Sequence, residues 1–401
     1  MPPTGQRPCM EDKLFAERRL RAALTALALS GLALTTLQGT ARAADAPTAP
    51  AAAPAESSPV ASIEETTARA FARTLAEPAW REQVAAATLA AEDVDLLALT
   101  AKSRTASVKA FRSTLTGAET DVARAKGLGK DVPSLLRVSL TGPSVNAAGL
   151  ARTTPLVASA PDEDAEVVVA YDSAGRAHEL DATKAPDRPV YVVGVDGQTA
   201  LDAGLKVIDR ELAARGLSRP DAATIPSASA SASASTAASG FWTTRITSIS
   251  VADVKEPFFK GDAEMFGLVT GFGTDGKVRV DTVTMPYLDD EGTTYYPGQI
   301  LVNWSNYKYN LADVVLMEDD GDTNYSSLAK ALAAVLLTIT DQGAYIPLVD
   351  AIVDAMPASW WTDDPDYVDS FYTLARETTG TRVGASANAR MTVDRYFVSE
   401  L

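Results

Sequence analysis

The side chains best suited to chemistry are carboxylates, and they are concentrated in one part of the chain. Residues 241–401 carry 24 acidic and 11 basic side chains, and 18 of the acids are Asp. They fall in four bunches. The first is Asp253, Glu256, Asp262 and Glu264, and the second is Asp289, Asp290 and Glu291. The third is Glu318, Asp319, Asp320 and Asp322, and the fourth is Asp363, Asp364, Asp366 and Asp369. Short Asp side chains on turns suit Ca²⁺, which gathers about six to eight hard oxygen ligands. Carboxylates brought together from separate loops repel unless a cation neutralises them. The expected ligands are therefore Asp253, Asp262, Asp319, Asp320, Asp322, Asp364, Asp366 and Asp369, with calcium as the cofactor. The spacing Asp320-x-Asp322-x-Asn324 opens like a calcium loop. It departs from an EF-hand at Tyr325, where Gly is needed, and at Ala331, where Glu is needed. The competing reading is that Asp is a favoured turn residue on a solvated acidic surface.

Other chemistries are narrower. The chain holds 1 Cys and 1 His, so an intramolecular disulfide and any zinc site built from Cys and His are excluded. A Ser-His-Asp triad would rest on His178 alone, and no G-x-S-x-G accompanies it. Gly271-Phe272-Gly273 lacks the third Gly and the following helix of a phosphate-cradling loop. A carboxylate-pair hydrolase needs only two suitably spaced acids and has no local signature, so its residues cannot be chosen from sequence. Trp304, Tyr307, Tyr309, Trp360 and Trp361 offer a carbohydrate- or surface-binding reading, with a glycan or cell-surface partner, if exposed. The alternative places these rings in a core. A net charge of -16 argues against nucleic acid, whose binding needs clustered Lys and Arg. The leading expectation is a non-enzymatic calcium-binding module.

The elements that position these residues follow from composition and periodicity. Arg18, Arg19 and Arg21 precede an apolar run from Ala22 to Leu37, and Ala41-Arg42-Ala43 follows. This is the pattern of a secretory signal peptide over 1–43, cleaved after Ala43, and it predicts a secreted chain, extracellular or periplasmic. Met10 is an alternative start, and a membrane anchor is the competing reading of the apolar run, which is short for a span. Cleavage would remove Cys9 and leave a cysteine-free mature chain with no further apolar stretch long enough to span. Residues 44–61 are an Ala/Pro tether, and 226–240 alternate Ser and Ala as a flexible linker. Between them, 62–225 read as an α+β domain, a helical bundle plus a small sheet. Ser62 is its expected first N-cap, with Glu65 three residues on. Helices are expected near 94–99, 106–115, 119–125 and 200–215, strands near 136–140 and 189–194, and a hairpin around Asp172-Ser173-Ala174-Gly175. Residues 241–401 read as a β-sandwich of seven short strands, interrupted by a helix capped at Asn324 and a second helix near 347–355.

The C-terminal motifs Lys260-Gly261-Asp262-Ala263-Glu264, Met285-Pro286-Tyr287-Leu288-Asp289, Gly292-Thr293-Thr294-Tyr295-Tyr296-Pro297, Thr323-Asn324-Tyr325 and Asp366-Tyr367-Val368-Asp369-Ser370-Phe371-Tyr372 resemble a family of exported bacterial proteins of unknown function. The upstream Ala170-Tyr171-Asp172-Ser173-Ala174-Gly175 has the same look. The resemblance spans most of the mature chain and implies no activity. By fold analogy alone, acidic loops at one end of a sandwich are similar to calcium-dependent C2-type modules.

Overall fold

Proline and capping side chains set the first helices. The computed structural model describes residues 58–153, 155–161, 165–218, 240–254, 263–319, 321, 323–356 and 367–399. All of these lie within one compact unit, Glu56–Leu401. Helix α1 (Pro59–Thr74) starts a turn earlier than expected, because Ser58, not Ser62, accepts an orphan amide, from Ala61 at 3.0 Å. Pro59 takes a first-turn position that needs no N–H, and Pro78 does the same for α2 (Pro78–Thr88). The stretch expected as a helix over 94–99 divides into β1 (Val94–Asp95) and α3 (Leu96–Ala101), since Asp95 caps the helix by accepting the Ala98 amide at 2.9 Å. The two helices expected after it are one, α4 (Ala106–Ala125), with Gly117 on its exposed side. A single exposed glycine costs a helix only about 1 kcal/mol against Ala, too little to break a 20-residue helix packed on a core.

A six-stranded sheet follows, in the order β1-β2-β6-β3-β4-β5. It comprises β2 (Leu136–Thr141), β3 (Leu156–Ser159), β4 (Val167–Tyr171), β5 (Ala177–Asp181) and β6 (Val190–Val195), with α5 (Ala147–Arg152) between β2 and β3. Only β3 and β6 pair in parallel. The β4–β5 hairpin turns through Asp172–Gly175, with Gly175 at a φ of 78°. One face of the sheet, including Val138, Val157, Tyr191 and Val193, packs with Phe71, Trp80 and Leu115 of the helices. Alternation turns Arg137, Ser139 and Thr141 of β2 to the opposite face.

Helix α6 (Gly197–Ala213) carries the chain out of this sheet, and its apolar stripe of Leu201, Leu205, Ile208 and Leu212 is buried. The stripe packs against the C-terminal region. That region has eight strands: β7 (Gly240–Val251), β8 (Met265–Phe272), β9 (Val278–Thr284), β10 (Gln299–Asn303), β11 (Leu311–Glu318), β12 (Tyr367–Ala375), β13 (Gly380–Val383) and β14 (Ala389–Ser399). It also has α7 (Tyr325–Leu336), capped by Asn324 as expected, and α8 (Val349–Ala355). The strands form two antiparallel four-stranded sheets, ordered β10-β7-β14-β13 and β12-β11-β8-β9. Both contribute to one apolar cluster, with Ile249 and Met391 from the first and Val269, Val314 and Phe371 from the second. The other face of the second sheet, with Phe266, Leu268 and Val315, meets α6, α7 and α8. Strand β8 is consequently buried at every residue, matching its continuous apolar sequence. Each fully buried Leu or Phe in these clusters contributes roughly 1.5–3 kcal/mol of transfer free energy.

Glycine lets α6 dock closely. A Cβ at Gly204 would lie 2.3 Å from three ring atoms of the buried Tyr325, so any larger residue would push α7 away.

Candidate binding cleft and two buried polar networks

The outward face of β2 and β6 forms the floor of a cleft of about 800 Å³, to which the start of β8 and the end of β9 also contribute neighbouring residues. Ser139, Thr141, Val192 and Gly194 line its floor. Glu92 and Asp93, ahead of β1, stand on one side. Asp196, at the start of α6, and Glu264, from the segment entering β8, contribute further carboxylates.

Arg137 is the only Lys or Arg lining the cleft among the described residues, and it is already matched by carboxylates. Its Nη2 lies 2.8 Å from Asp196 and its Nη1 3.5 Å from Asp95, with only 16% of the side chain exposed. Asp196 also caps α6, accepting the Thr199 amide at 2.8 Å. Glu264 lies against the first turn of that helix, where a Cβ on Gly197 would meet its carboxylate at 2.1 Å. A negative group there is favoured by the amino-terminal end of the helix dipole. Glu92, Asp93, Asp196 and Glu264 thus give the described lining four carboxylates to one Arg.

Beside the cleft a cavity of about 50 Å³ is lined by Glu64, Lys126, Glu264 and Asp319. Glu64 accepts the Val195 amide at 2.8 Å. Lys126 and Asp319 form a buried pair with Nζ 3.3 Å from the carboxylate, and Nζ also donates to the Gly321 carbonyl at 3.0 Å. The Tyr325 ring centroid is 5.5 Å from the same nitrogen.

A second network joins α6 to β9. The Thr282 hydroxyl donates to Asp209 at 3.1 Å, and Tyr307 donates to Asp281 at 2.8 Å. Arg279 pairs with Asp281 at 2.8 Å. Burial, reinforced by the nearby Asp281 charge and opposed by the Thr282 hydrogen bond, raises the Asp209 carboxyl to about 6. Burial also pushes the Tyr307 phenol well above its ordinary range. The cavity of about 50 Å³ that Arg279 and Asn306 line nearby is bordered by neither Asp209 nor Asp281.

The expected calcium ligands are spread over different surroundings. Asp262, Asp320, Asp322, Asp364 and Asp366 lie outside the described residues. The backbone of Asp253 is clasped by Asn388, with its amide donating at 3.0 Å and its carbonyl accepting at 2.8 Å. Asp319 faces Lys126. Asp369 is fully buried and accepts three backbone amides, from Ser370 at 2.7 Å, Ser386 at 2.9 Å and Ala389 at 2.7 Å. Among the described residues, no group of three or more His, Cys, Asp or Glu is placed to hold a metal ion. Asp313, which lies outside the four acidic bunches, plays the same part as Asp369. It is fully buried and accepts the Leu348 and Thr373 amides at 2.6 and 2.7 Å. Its sequence signal is an Asp inside an otherwise apolar strand. Burial raises its carboxyl, and those two amides oppose the rise.

Trp304 and Tyr307 are buried, and the Trp304 indole donates to Thr244 at 2.9 Å. Trp360 and Trp361 lie outside the described residues. His178 sits on the β5 edge strand, 3.3 Å from Asp172, with 42% of its side chain exposed. Among the described residues no helix is long and apolar enough to cross a membrane.

Residues 65–400 match the family model described as "Protein of unknown function (DUF3103)". No curated protein and no solved structure matches the chain.

Proposed function

The chain belongs to this family, and from that premise we propose that it is an exported, non-enzymatic binding module whose cleft takes an extended polycationic ligand such as a polyamine or a Lys-rich peptide. The observation that carries the reading is the acidic, substrate-sized cleft in which Arg137 is already paired. Its four carboxylates come from three separate segments of the chain, which suits a chain of positive charges better than one bare ion. Among the described residues, the lining holds no aromatic ring on which a sugar could stack. Export is supported by the signal-like segment before Ala44, and the sandwich reading by the apolar cluster that the two four-stranded sheets share.

The test is calorimetric titration of the purified mature protein with spermine and with tetralysine, at low and at physiological salt. We expect binding to both, weakened by salt as the exposed charges are screened. Absence of binding at low salt would remove the reading. Calcium belongs in the same series. Thermal unfolding with calcium and with chelator tests the acidic turns, and identical midpoints would set that expectation aside.

A further inference from the structure

We propose that Lys126 and Asp319 form an intramolecular isopeptide bond, joining Nζ to the carboxyl carbon with loss of water. The two residues are 193 positions apart and both are buried, with side-chain exposures of 0% and 1%. Nζ lies 3.3 Å from each carboxylate oxygen. The nitrogen is thus equidistant from both oxygens in hydrogen-bond geometry, and attack requires the Lys126 side chain to shift from that position onto the face of the carbon between them.

Rigid elements hold both partners. Lys126 directly follows α4, and Asp319 directly follows β11. Asn324 donates to the Ala125 carbonyl at 2.6 Å, and the Tyr325 amide donates to the Lys126 carbonyl at 3.1 Å. The Gly321 carbonyl also accepts from Nζ, at 3.0 Å.

The chemistry balances within the site. Removing two ions from water is costly, and passing a proton from Nζ to the Asp319 carboxyl leaves a neutral amine beside a neutral acid. The nitrogen lone pair then attacks the carboxyl carbon. Glu264, which lines the same cavity and whose carbonyl accepts the Asp319 amide at 3.1 Å, takes the second proton from nitrogen. It returns that proton to the leaving hydroxyl as the C–O bond breaks. The products are one amide and one water, and Glu264 ends as it began. The step needs neither oxidant nor cofactor. It would tie α4 to β11 in a chain whose residues 44–401 contain no cysteine.

The experiment is intact mass spectrometry of the purified mature chain, its amino terminus having been sequenced, followed by tryptic mapping. The wild type should be lighter than its sequence by one water, with a branched peptide linking Lys126 to Asp319 and no cleavage after Lys126. Asp319→Ala and Lys126→Arg should restore the full mass. Glu264→Gln should do so while retaining the wild-type circular dichroism. A wild-type chain of full mass, or one lacking a water but cleaved normally after Lys126, overturns the bond. A branched peptide persisting in Glu264→Gln overturns the role given to Glu264. The wild-type result stands whether or not the variants fold.

Discussion

Replacing Asp209 by Asn should stabilise the protein at neutral pH and not in acid. The half-buried carboxyl of Asp209 accepts only the Thr282 hydroxyl among the described hydrogen bonds and faces the charge of Asp281. Its pKa is raised to about 6 from an ordinary 3.8. A carboxyl whose folded pKa is raised binds protons more tightly in the folded state. Its contribution is fully present below about pH 4 and is lost as pH rises through 6. A rise of this size corresponds to about 3 kcal/mol, and solvent screening of a half-buried group reduces this to roughly 1–2 kcal/mol. Asn keeps an oxygen for Thr282 and carries no charge. Urea unfolding of wild type and Asp209→Asn at pH 4 and at pH 7.5 is the assay. Subtracting the two chains cancels the titration of every other carboxylate. A gain of about 1–2 kcal/mol at pH 7.5 that vanishes at pH 4 is expected from this linkage. Equal stability at pH 7.5, or a gain of the same size at both pH values, would refute the reasoning.

Further perturbations probe the rest of the molecule. Asp369→Ala strands three backbone amides, two of them in buried bonds, and should cost about 2–4 kcal/mol in urea unfolding, whereas a solvated turn acid would cost almost nothing. Thr373 is exposed and held at a φ of 51°, so Thr373→Asn should raise the unfolding free energy measured in urea by roughly 0.5–1 kcal/mol, because Asn tolerates the left-handed region. Gly204→Leu drives a side chain into the Tyr325 ring and should lose about 3 kcal/mol or the fold itself, read as loss of the cooperative thermal transition. Glu92→Gln should weaken tetralysine binding by up to about fivefold at low salt, since one exposed charge pair is worth about 1 kcal/mol or less, with stability unchanged.

Much of the fold was legible because local rules govern it. The hairpin at Asp172–Gly175, the helix stripe from Leu201 to Leu212, the Asn324 cap and the strands from Met265 onward are each written in a few adjacent residues. Strand β3 escaped because four residues, Leu156–Ser159, are too few for alternation to register. Strand β13 is exposed throughout and has no apolar face to read. The joining of α6 to the C-terminal region depends on Gly204 meeting Tyr325, a contact between residues far apart in sequence. The candidate site was hidden for the same reason. Glu92, Arg137, Asp196 and Glu264 come from four distant segments, and no local motif joins them. The sequence around Asp369 looks like that of a ligand because buried turn-holding acids and cation ligands share one composition. Only its three amide partners reveal the part it plays here.

Hydrogen exchange of the mature protein with and without saturating tetralysine tests the binding reading most directly. Slowed exchange should concentrate at residues 139–145 along the β2 edge of the cleft and at 196–198 at the start of α6. No slowing in those segments, or slowing confined to the acidic turn at Asp289, Asp290 and Glu291, would contradict a ligand seated in the cleft.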